Sequence, residues 1–516
     1  MKSIMFHINR MIMFGFVFFL AQGCYNDLEE DISGILLIEN LQNESDMTAA
    51  LVAIYDVYGD MYWDGHSMQI TGYGSDDITT WWGGNKAPLR VFDGFNYGDG
   101  ENADIQWLNF PWDWNWKVVY YCNALIEGLK TSTASEELIT AIDAEARFLR
   151  ADAYFNLVKR YGNLPIISDE TEPTGEEVRA TVLENYQFIE SDLLIAEANM
   201  PGPGEVAQIG RASSATAKAV LSNLYLTWAG WPVKDQSKYA MAASKAKELI
   251  DMNYFELLPI DELWLEENQN SRESLFAIQF SREELFTNRW ARSNSFHEAL
   301  GFSDLYPERQ FFMDFPDGPR KDITFATEIP QKSFSGGVIV TKDPATKPWE
   351  ESQRNHPMYG KFTIAVDDTN VTNGRTGSYR AQEIYRYAEV LLIYAEAWAR
   401  ANGGVASGEA LEAYNQVRRR AEGFPYDQPE VTVDVASVTA DEIVAEKGWE
   451  LAGEGKRWYD LVRLEMVNDV ISNRDPDEEV PLTRTSVTSN QYIAPIPFQA
   501  ISTSNLVQNP EGFRIQ

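Results

Sequence analysis

Catalytic side chains occur in this sequence, but not at the spacings that common catalytic motifs require. The histidine–glutamate pair at 297–298 begins like a zinc-protease helix, yet Gly301 stands where the second histidine should be. Gly448 and Gly453 have the spacing of a phosphate-binding loop, but Glu454 follows instead of lysine. The 78 acidic residues produce chance carboxylate pairs, so such pairs do not by themselves indicate glycoside hydrolysis. We predict that the chain is not an enzyme and that it has no cofactor.

Three acid-rich runs carry the oxygen ligands that calcium prefers, at residues 99–104, 314–317 and 475–479. None of them follows the loop pattern of an EF-hand. We interpret them as solvated turns and keep structural calcium as the alternative. With four histidines in the chain, we do not expect a histidine-rich metal site.

Tryptophan is concentrated in one part of the chain. An indole ring stacks on the apolar C–H face of a sugar, while neighbouring polar groups bind its hydroxyls. Trp112 and Trp116 are four residues apart on a helical stripe, which predicts that these two rings pack in the core. Seven of the fifteen tryptophans lie within this part: Trp63, Trp81, Trp82, Trp107, Trp112, Trp114 and Trp116.

Trp81 and Trp82 are flanked by glycines and polar residues and have no helical partners. Adjacent residues cannot share one helix face, so at least one ring is expected to project from a loop. We predict a ligand-recognition surface here and keep loop packing as the alternative. Its predicted residues are Tyr73, Asp76, Asp77, Trp81, Trp82 and Asn85.

A second stretch also mixes aromatic and long polar side chains. Its candidates for ligand binding are Trp290, Arg292, Asn294 and Phe296. Packing of this loop is again the alternative interpretation.

Apolar residues at three- and four-residue spacing predict a mostly α fold. Ser45 and Thr439 are predicted helix N-caps. Alanine-rich helices fall into neighbouring pairs, which is typical of tetratricopeptide-like repeats. The predicted helices cover 45–62, 112–129, 135–161, 178–200, 211–228, 239–252, 381–401, 407–421 and 440–467.

Two long stretches lack a clear period, at about 63–111 and 258–377, and both hold the aromatic candidates. Loops of such length are usually functional or disordered, and their aromatic content argues against disorder. We predict one domain over 45–516. Its helical scaffold would cover about 45–62, 112–257 and 378–470, and the two irregular insertions would form a ligand-facing lobe.

The N-terminus has the features of an exported lipoprotein. Residues 1–23 read as a signal peptide, with a basic start and an apolar run over 11–21. The following Cys24 ends a segment similar to a bacterial lipobox, so we predict that Cys24 is lipidated and that 24–44 is an acidic tether. Cys122 is the only other cysteine, so an acylated Cys24 leaves no intramolecular disulfide.

The formal net charge is −35, and the predicted signal peptide holds two basic residues and no acidic one. Its removal makes the chain two units more negative. Such a surface repels nucleic acid and anionic membrane, so no nucleic-acid partner is expected. A local basic pocket is compatible with this overall charge.

Segments spread over most of the chain resemble the SusD/RagB family. They are 144–165, 273–280, 386–397, 446–463 and 495–510, and they occur in the expected order. From physical chemistry alone, the polar and charged residues in these segments should hold helices together rather than contact ligand. The residues concerned are Arg147, Arg150, Tyr154, Glu389, Glu396, Arg457, Asp460 and Arg463.

The resemblance implies a right-handed superhelical scaffold of tetratricopeptide-like helix pairs with a loop-rich lobe. It implies a surface-exposed outer-membrane lipoprotein that captures glycans and forms a lid over a SusC-like TonB-dependent transporter. Peptide capture, as in the RagB branch, is the main alternative. A repeat-based scaffold for protein partners is the third. The family motifs do not fix ligand-binding residues, so the candidate site rests on the loop chemistry above.

Overall fold

Helices make up most of the regular structure in the computed structural model. It describes residues 41, 43–62, 72–81, 86–95, 109–171, 174–283, 286–336, 338–372, 375–478 and 487–509. Cys24, the signal peptide, Trp82 and Asn85 lie outside the described residues. No helix within the described ranges is long and apolar enough to cross a membrane.

The helices are α1 Glu44–Tyr62, α2 Ala87–Asp93, α3 Asn109–Leu129, α4 Glu136–Tyr161, α5 Val182–Asn199, α6 Ser214–Trp228, α7 Lys238–Ile250, α8 Trp290–Ser293, α9 Arg309–Asp314, α10 Pro319–Thr324, α11 Tyr387–Ala401, α12 Gly408–Ala421, α13 Ala440–Glu450, α14 Arg457–Arg463, α15 Val467–Ser472 and α16 Phe498–Thr503. The strands are β1 Ser274–Ile278, β2 Phe325–Ala326, β3 Glu328–Ser335, β4 Val338–Pro348, β5 Met358–Tyr359, β6 Val366–Thr372, β7 Arg375–Ser378, β8 Gln382–Arg386, β9 Val405–Ala406 and β10 Val438–Thr439.

The scaffold helices pack in sequence, each against the next. Contacts join α3 to α4, α4 to α5, α5 to α6, α6 to α7 and α11 to α12. Helix α7 also packs on α11, which joins the two helical blocks across the irregular stretch. Ala242 and Ala246 of α7 are fully buried one turn apart, so neighbouring helices can approach closely. The mostly α fold of tetratricopeptide-like pairs is confirmed.

Side-chain caps set several helix starts. Thr439 accepts a hydrogen bond from the backbone N–H of Glu442, and the Glu442 carboxylate bonds back, as predicted for this N-cap. Ser45 does not cap α1. Instead, the side-chain oxygen of Asn43 accepts from the backbone N–H groups of Ser45 and Asp46, at 3.0 and 3.1 Å. The cap therefore lies two residues earlier than predicted, because an Asn side chain reaches the free N–H groups equally well.

The predicted helix 381–401 is wrong at its start. Residues 382–386 form strand β8, which pairs antiparallel with β1, Ser274 facing Arg386 and Ile278 facing Gln382. The helix begins only at Tyr387. This pairing ties the second irregular stretch to the scaffold.

The predicted helix 440–467 is interrupted. It ends at Glu450 and resumes at Arg457, and Gly453 and Gly455 between them have φ of 73° and 72°. Left-handed backbone of this kind favours glycine. A Cβ on Gly453 would also lie 2.7 Å from the Tyr359 ring, so this turn allows the lobe to pack against it.

The two irregular stretches contact each other and contain more regular structure than the sequence indicates. The second stretch forms the antiparallel pairs β3–β4, β2–β5 and β6–β7. The first contributes α2 and a short bridge, in which the Thr79 N–H donates to the Tyr306 carbonyl at 2.7 Å. The lobe is thus assembled from both insertions.

Candidate ligand-binding site

Tyr73 and Asp77 of the first candidate stretch lie in the interior. The Tyr73 hydroxyl donates to the Asp304 carbonyl at 3.0 Å. Asp77 accepts from the Ser75 hydroxyl at 2.6 Å and from the Gly453 N–H at 2.9 Å. Burial, with Asp76 beside it, raises the pKa of Asp77 to about 6. The sequence placed both side chains on a recognition surface. That placement is wrong, because both are buried and their hydrogen bonds hold the loop against the rest of the structure.

Asp76 lies at the edge of an acidic cavity and is partly exposed. Its carboxylate accepts two hydrogen bonds from the Arg457 guanidinium, at 2.9 and 3.0 Å. A cavity of about 230 Å³ adjoins this pair, with Glu308, Asp314 and Trp449 among its lining residues. Asp76 is the polar candidate of this stretch that remains within reach of a ligand.

Trp81 is half-buried, and a guanidinium lies over its ring. The Arg354 guanidinium carbon is 4.1 Å from the ring centroid, which is cation–π geometry. Arg354 itself is buried, so it orients the indole from the protein side. The partial exposure agrees with a ring that serves a binding surface. The ligand contact itself stays a prediction.

The second candidate segment packs inside the lobe. Trp290, Arg292, Asn294 and Phe296 are all buried. The Asn294 amide donates to the Trp290 carbonyl at 2.9 Å, a contact one helical turn apart. The Phe296 ring belongs to a small apolar cluster. These four side chains do not form the surface expected from the sequence, because α8 and the residues directly after it pack inside the lobe.

Trp290 does line a small cavity of about 30 Å³, together with Trp264, Phe362 and Gln382. The Trp290 indole N–H and the Gln382 side-chain oxygen are buried without hydrogen-bond partners among the described residues. The volume suits about two water molecules and not a sugar ring.

Arg150, Glu396 and Arg463 of the family segments hold helices together, as predicted, whereas Arg457 bonds to Asp76 of the first insertion. Arg150 of α4 bonds to Asp192 of α5 at 2.8 Å, and to Asp169 at 2.8 Å. Arg463 bonds to Glu396 of α11 at 2.6 Å. Trp112 is also confirmed in the core, with its ring 5.0 Å from that of Tyr161.

A buried ionic network that the sequence did not indicate joins the lobe to the scaffold. Arg386 bonds to Glu273 at 3.1 Å, to Glu450 at 2.5 Å and to Glu454 at 2.9 Å. Arg420 adds bonds to Glu273 and Glu450. Burial acts to raise the pKa of Glu450, but the guanidinium groups, with Arg420 first, lower it to about 2.

Within the described ranges, no group of three or more His, Cys, Asp or Glu side chains is placed to hold a metal ion. The acid-rich run 99–104 lies outside those ranges. Structural calcium therefore stays an untested alternative.

Two family profiles together match most of the chain. Residues 281–512 match the profile described as the SusD family. Residues 27–226 match the profile described as starch-binding associating with outer membrane. The chain belongs to the SusD family. The second description points to an outer-membrane association for this SusD-like protein.

Individual relatives agree with this assignment. A SusD-like protein of Bacteroides ovatus is 28% identical over 69% of this chain and 65% of its own. SusD-like protein P2 of Formosa agariphila is 26% identical over 95% and 97%. A laminarin-binding SusD-like protein of known structure is 26% identical, with a TM-score of 0.69, over 91% of this chain and 99% of its own.

Proposed function

We propose that this SusD-like protein captures oligosaccharides at the cell surface and delivers them to a SusC-like TonB-dependent transporter. The observation that carries the proposal is its similarity, over nearly the whole chain, to a laminarin-binding SusD-like protein. The half-buried Trp81 ring held by Arg354 supplies a stacking platform of the kind that sugars use. Lipid on Cys24 anchors the protein, which works by binding and not by catalysis.

The lobe geometry supports a preformed binding surface. Two contacts hold the first stretch in place: the backbone hydrogen bond from Thr79 to Tyr306 and the ion pair between Asp76 and Arg457. Ordering these loops before the ligand arrives lowers the entropic cost of binding.

Binding measured on the full lipidated chain in mild detergent tests the proposal. Laminarin oligosaccharides, maltooligosaccharides and a mixed tripeptide pool are titrated in parallel by calorimetry. Saturable binding of a glycan without peptide binding supports the proposal. Peptide binding without glycan binding contradicts it and favours the peptide-capturing alternative.

Delivery is tested separately, by pull-down of the chain from native membranes in mild detergent. We expect a large TonB-dependent barrel to co-purify with and without ligand. Recovery of this chain alone contradicts the transporter part of the proposal.

A further inference from the structure

A basic pocket lies on the scaffold beside the start of the first insertion. We define it by Lys159 and Arg160 at the end of α4 and by Lys456 before α14. Tyr62, the last residue of α1, and strand β8 complete its wall. Tyr62 is the last described residue before the insertion 63–111, so the pocket lies at the point of the scaffold where the chain leads into that insertion.

Lys159 supplies one of the positive charges of the pocket. Its ammonium lies 4.0 Å from the Phe155 ring centroid and 4.6 Å from that of Tyr459. Within the described part of the chain, no acidic group comes within ion-pair distance of it. Burial, followed by the charges of Lys456 and Arg160, lowers the pKa of Lys159 to about 7. An incoming anion would relieve this repulsion.

Hydrogen bonds and an ion pair hold the charged groups of Lys456 and Arg160 in place at the same pocket. Lys456 forms an ion pair with Glu389 at 3.1 Å and donates to the Ile384 carbonyl at 2.8 Å. Arg160 donates to the Asn156 carbonyl at 2.8 Å. These bonds orient two long side chains that would otherwise lose entropy on binding.

Two carboxylates also line the pocket, but each is bound to other groups. Glu454 lies between Arg386 at 2.9 Å and Lys361 at 2.7 Å. Glu383 accepts from the Ser274 hydroxyl at 2.6 Å. These two carboxylates are engaged elsewhere, and Lys456 is balanced by Glu389. Lys159 is therefore left without an ion-paired carboxylate among the described residues, in a chain of net charge −35.

The size of the pocket limits what it can hold. Its volume is about 40 Å³. That is space for about three water-sized groups, which fits one oxyanion and excludes a sugar ring. The aromatic rings of Tyr62, Tyr385 and Tyr459 line the pocket and lower the local dielectric, which strengthens the attraction for an anion at short range.

We propose that the basic pocket binds the carboxylate or sulfate substituent of an acidic glycan, with Lys159 as its counter-ion. The proposal rests on the proposed glycan capture and narrows its substrate class. The substituent enters the pocket while the sugar ring stays outside, towards the lobe.

Inorganic sulfate tests the pocket without any glycan. The full chain in detergent is acetylated with an amine reagent, and labelling is mapped by mass spectrometry with sodium sulfate or with sodium chloride at equal ionic strength. We expect sulfate to slow labelling of Lys159 by about threefold or more and to leave the exposed Lys130 unchanged. Equal labelling of Lys159 in both salts overturns the proposal.

Defined oligosaccharides then test the substrate class and its source of charge. Trigalacturonate is compared with its methyl ester, and a sulfated galactose oligosaccharide with its desulfated form. We expect at least one charged form to bind about tenfold more tightly than its neutral match, because a hydrogen bond between charged groups is stronger than one to a neutral group. The pair that shows the difference identifies carboxylate or sulfate.

Matched variants separate the two proposals. Lys159→Met keeps the aliphatic stem and should abolish the preference for charge, whereas Lys238→Met, a lysine over the Trp228 ring at 3.7 Å on α7, should not. Equal binding of charged and neutral sugars overturns the basic pocket but leaves glycan capture intact. If sulfate protects Lys159 from labelling but no glycan binds, the result overturns both the proposed glycan capture and the proposed class of acidic glycan.

Discussion

The Arg354 guanidinium lies 4.1 Å from the centre of the Trp81 ring and comes from the opposite irregular stretch of the chain. The contact spans 273 positions of sequence, from residue 81 to residue 354. A side chain of the second insertion therefore helps to orient the Trp81 ring.

Arg354→Met should weaken glycan binding by about twofold to fivefold, because a cation–π contact on a partly exposed ring is worth about 0.5–1 kcal/mol. Calorimetry with the glycan that binds the wild-type chain measures the effect. Arg282→Met, which removes a similar contact with Tyr379 at 4.6 Å, is the control and should bind normally. If the two variants behave alike, Arg354 does not orient Trp81.

Gly453→Ala should destabilise the protein by about 2–4 kcal/mol. The left-handed backbone accounts for about 1 kcal/mol, and the clash with Tyr359 adds about 1–3 kcal/mol. Gly403 has a φ of 92°, and nothing lies within 4 Å of an added Cβ. Gly403→Ala is therefore the control that measures only the free-energy cost of alanine in left-handed backbone. Chemical denaturation of both variants is the measurement. Equal losses would show that Tyr359 does not pack on this turn.

Glu450→Gln should destabilise the protein by about 3–5 kcal/mol, because it leaves buried guanidinium groups without their counter-charge. Glu409→Gln on α12 is the control, since Glu409 is 75% exposed, and it should cost under about 1 kcal/mol. Urea denaturation at neutral pH compares them. A small loss for Glu450→Gln would contradict a structural role for the network.

The same carboxylate predicts a pH dependence. The pKa of Glu450 is lowered from its usual value of about 4.5 to about 2 in the folded protein. Its contribution to stability is therefore complete above about pH 4.5 and is lost as the pH falls towards 2. The difference in unfolding free energy between the wild-type chain and Glu450→Gln should shrink over that range. A difference independent of pH would contradict the lowered pKa.

Cys24→Ser should release the protein from the outer membrane, because it removes the predicted site of lipidation. Fractionation after a high-salt wash measures this, with Cys122→Ser as the control that keeps the anchor. Retention of Cys24→Ser in the membrane fraction would contradict the lipoprotein assignment.

Local patterns predicted the scaffold because helix pairs such as α6 and α7 show their apolar spacing directly. They failed at 382–386, where a short segment of mixed polarity forms a strand that pairs with β1. They also missed the break at Gly453, which depends on a ring from the lobe. Long-range partners of this kind leave no periodic signal in the sequence.

The candidate site was predicted less well for the same reason. Asp77 looks like a free loop carboxylate, but its partner Gly453 is 376 residues away. Trp290 and Asn294 have the spacing of one helical turn, and that spacing is the signal that could have indicated packing. The buried ionic network draws on segments separated by over a hundred residues, so neither composition nor spacing predicts it.

Calorimetry of the Trp81→Ala/Trp82→Ala double variant measures whether these two rings form the proposed sugar-stacking platform. We expect this variant to bind the wild-type glycan about thirtyfold more weakly, a loss of about 2 kcal/mol, with a nearly unchanged melting temperature. Trp112→Ala is the control and should instead lose about 3–5 kcal/mol of stability, because its ring is in the core. Normal glycan binding together with early melting of the double variant would contradict the account.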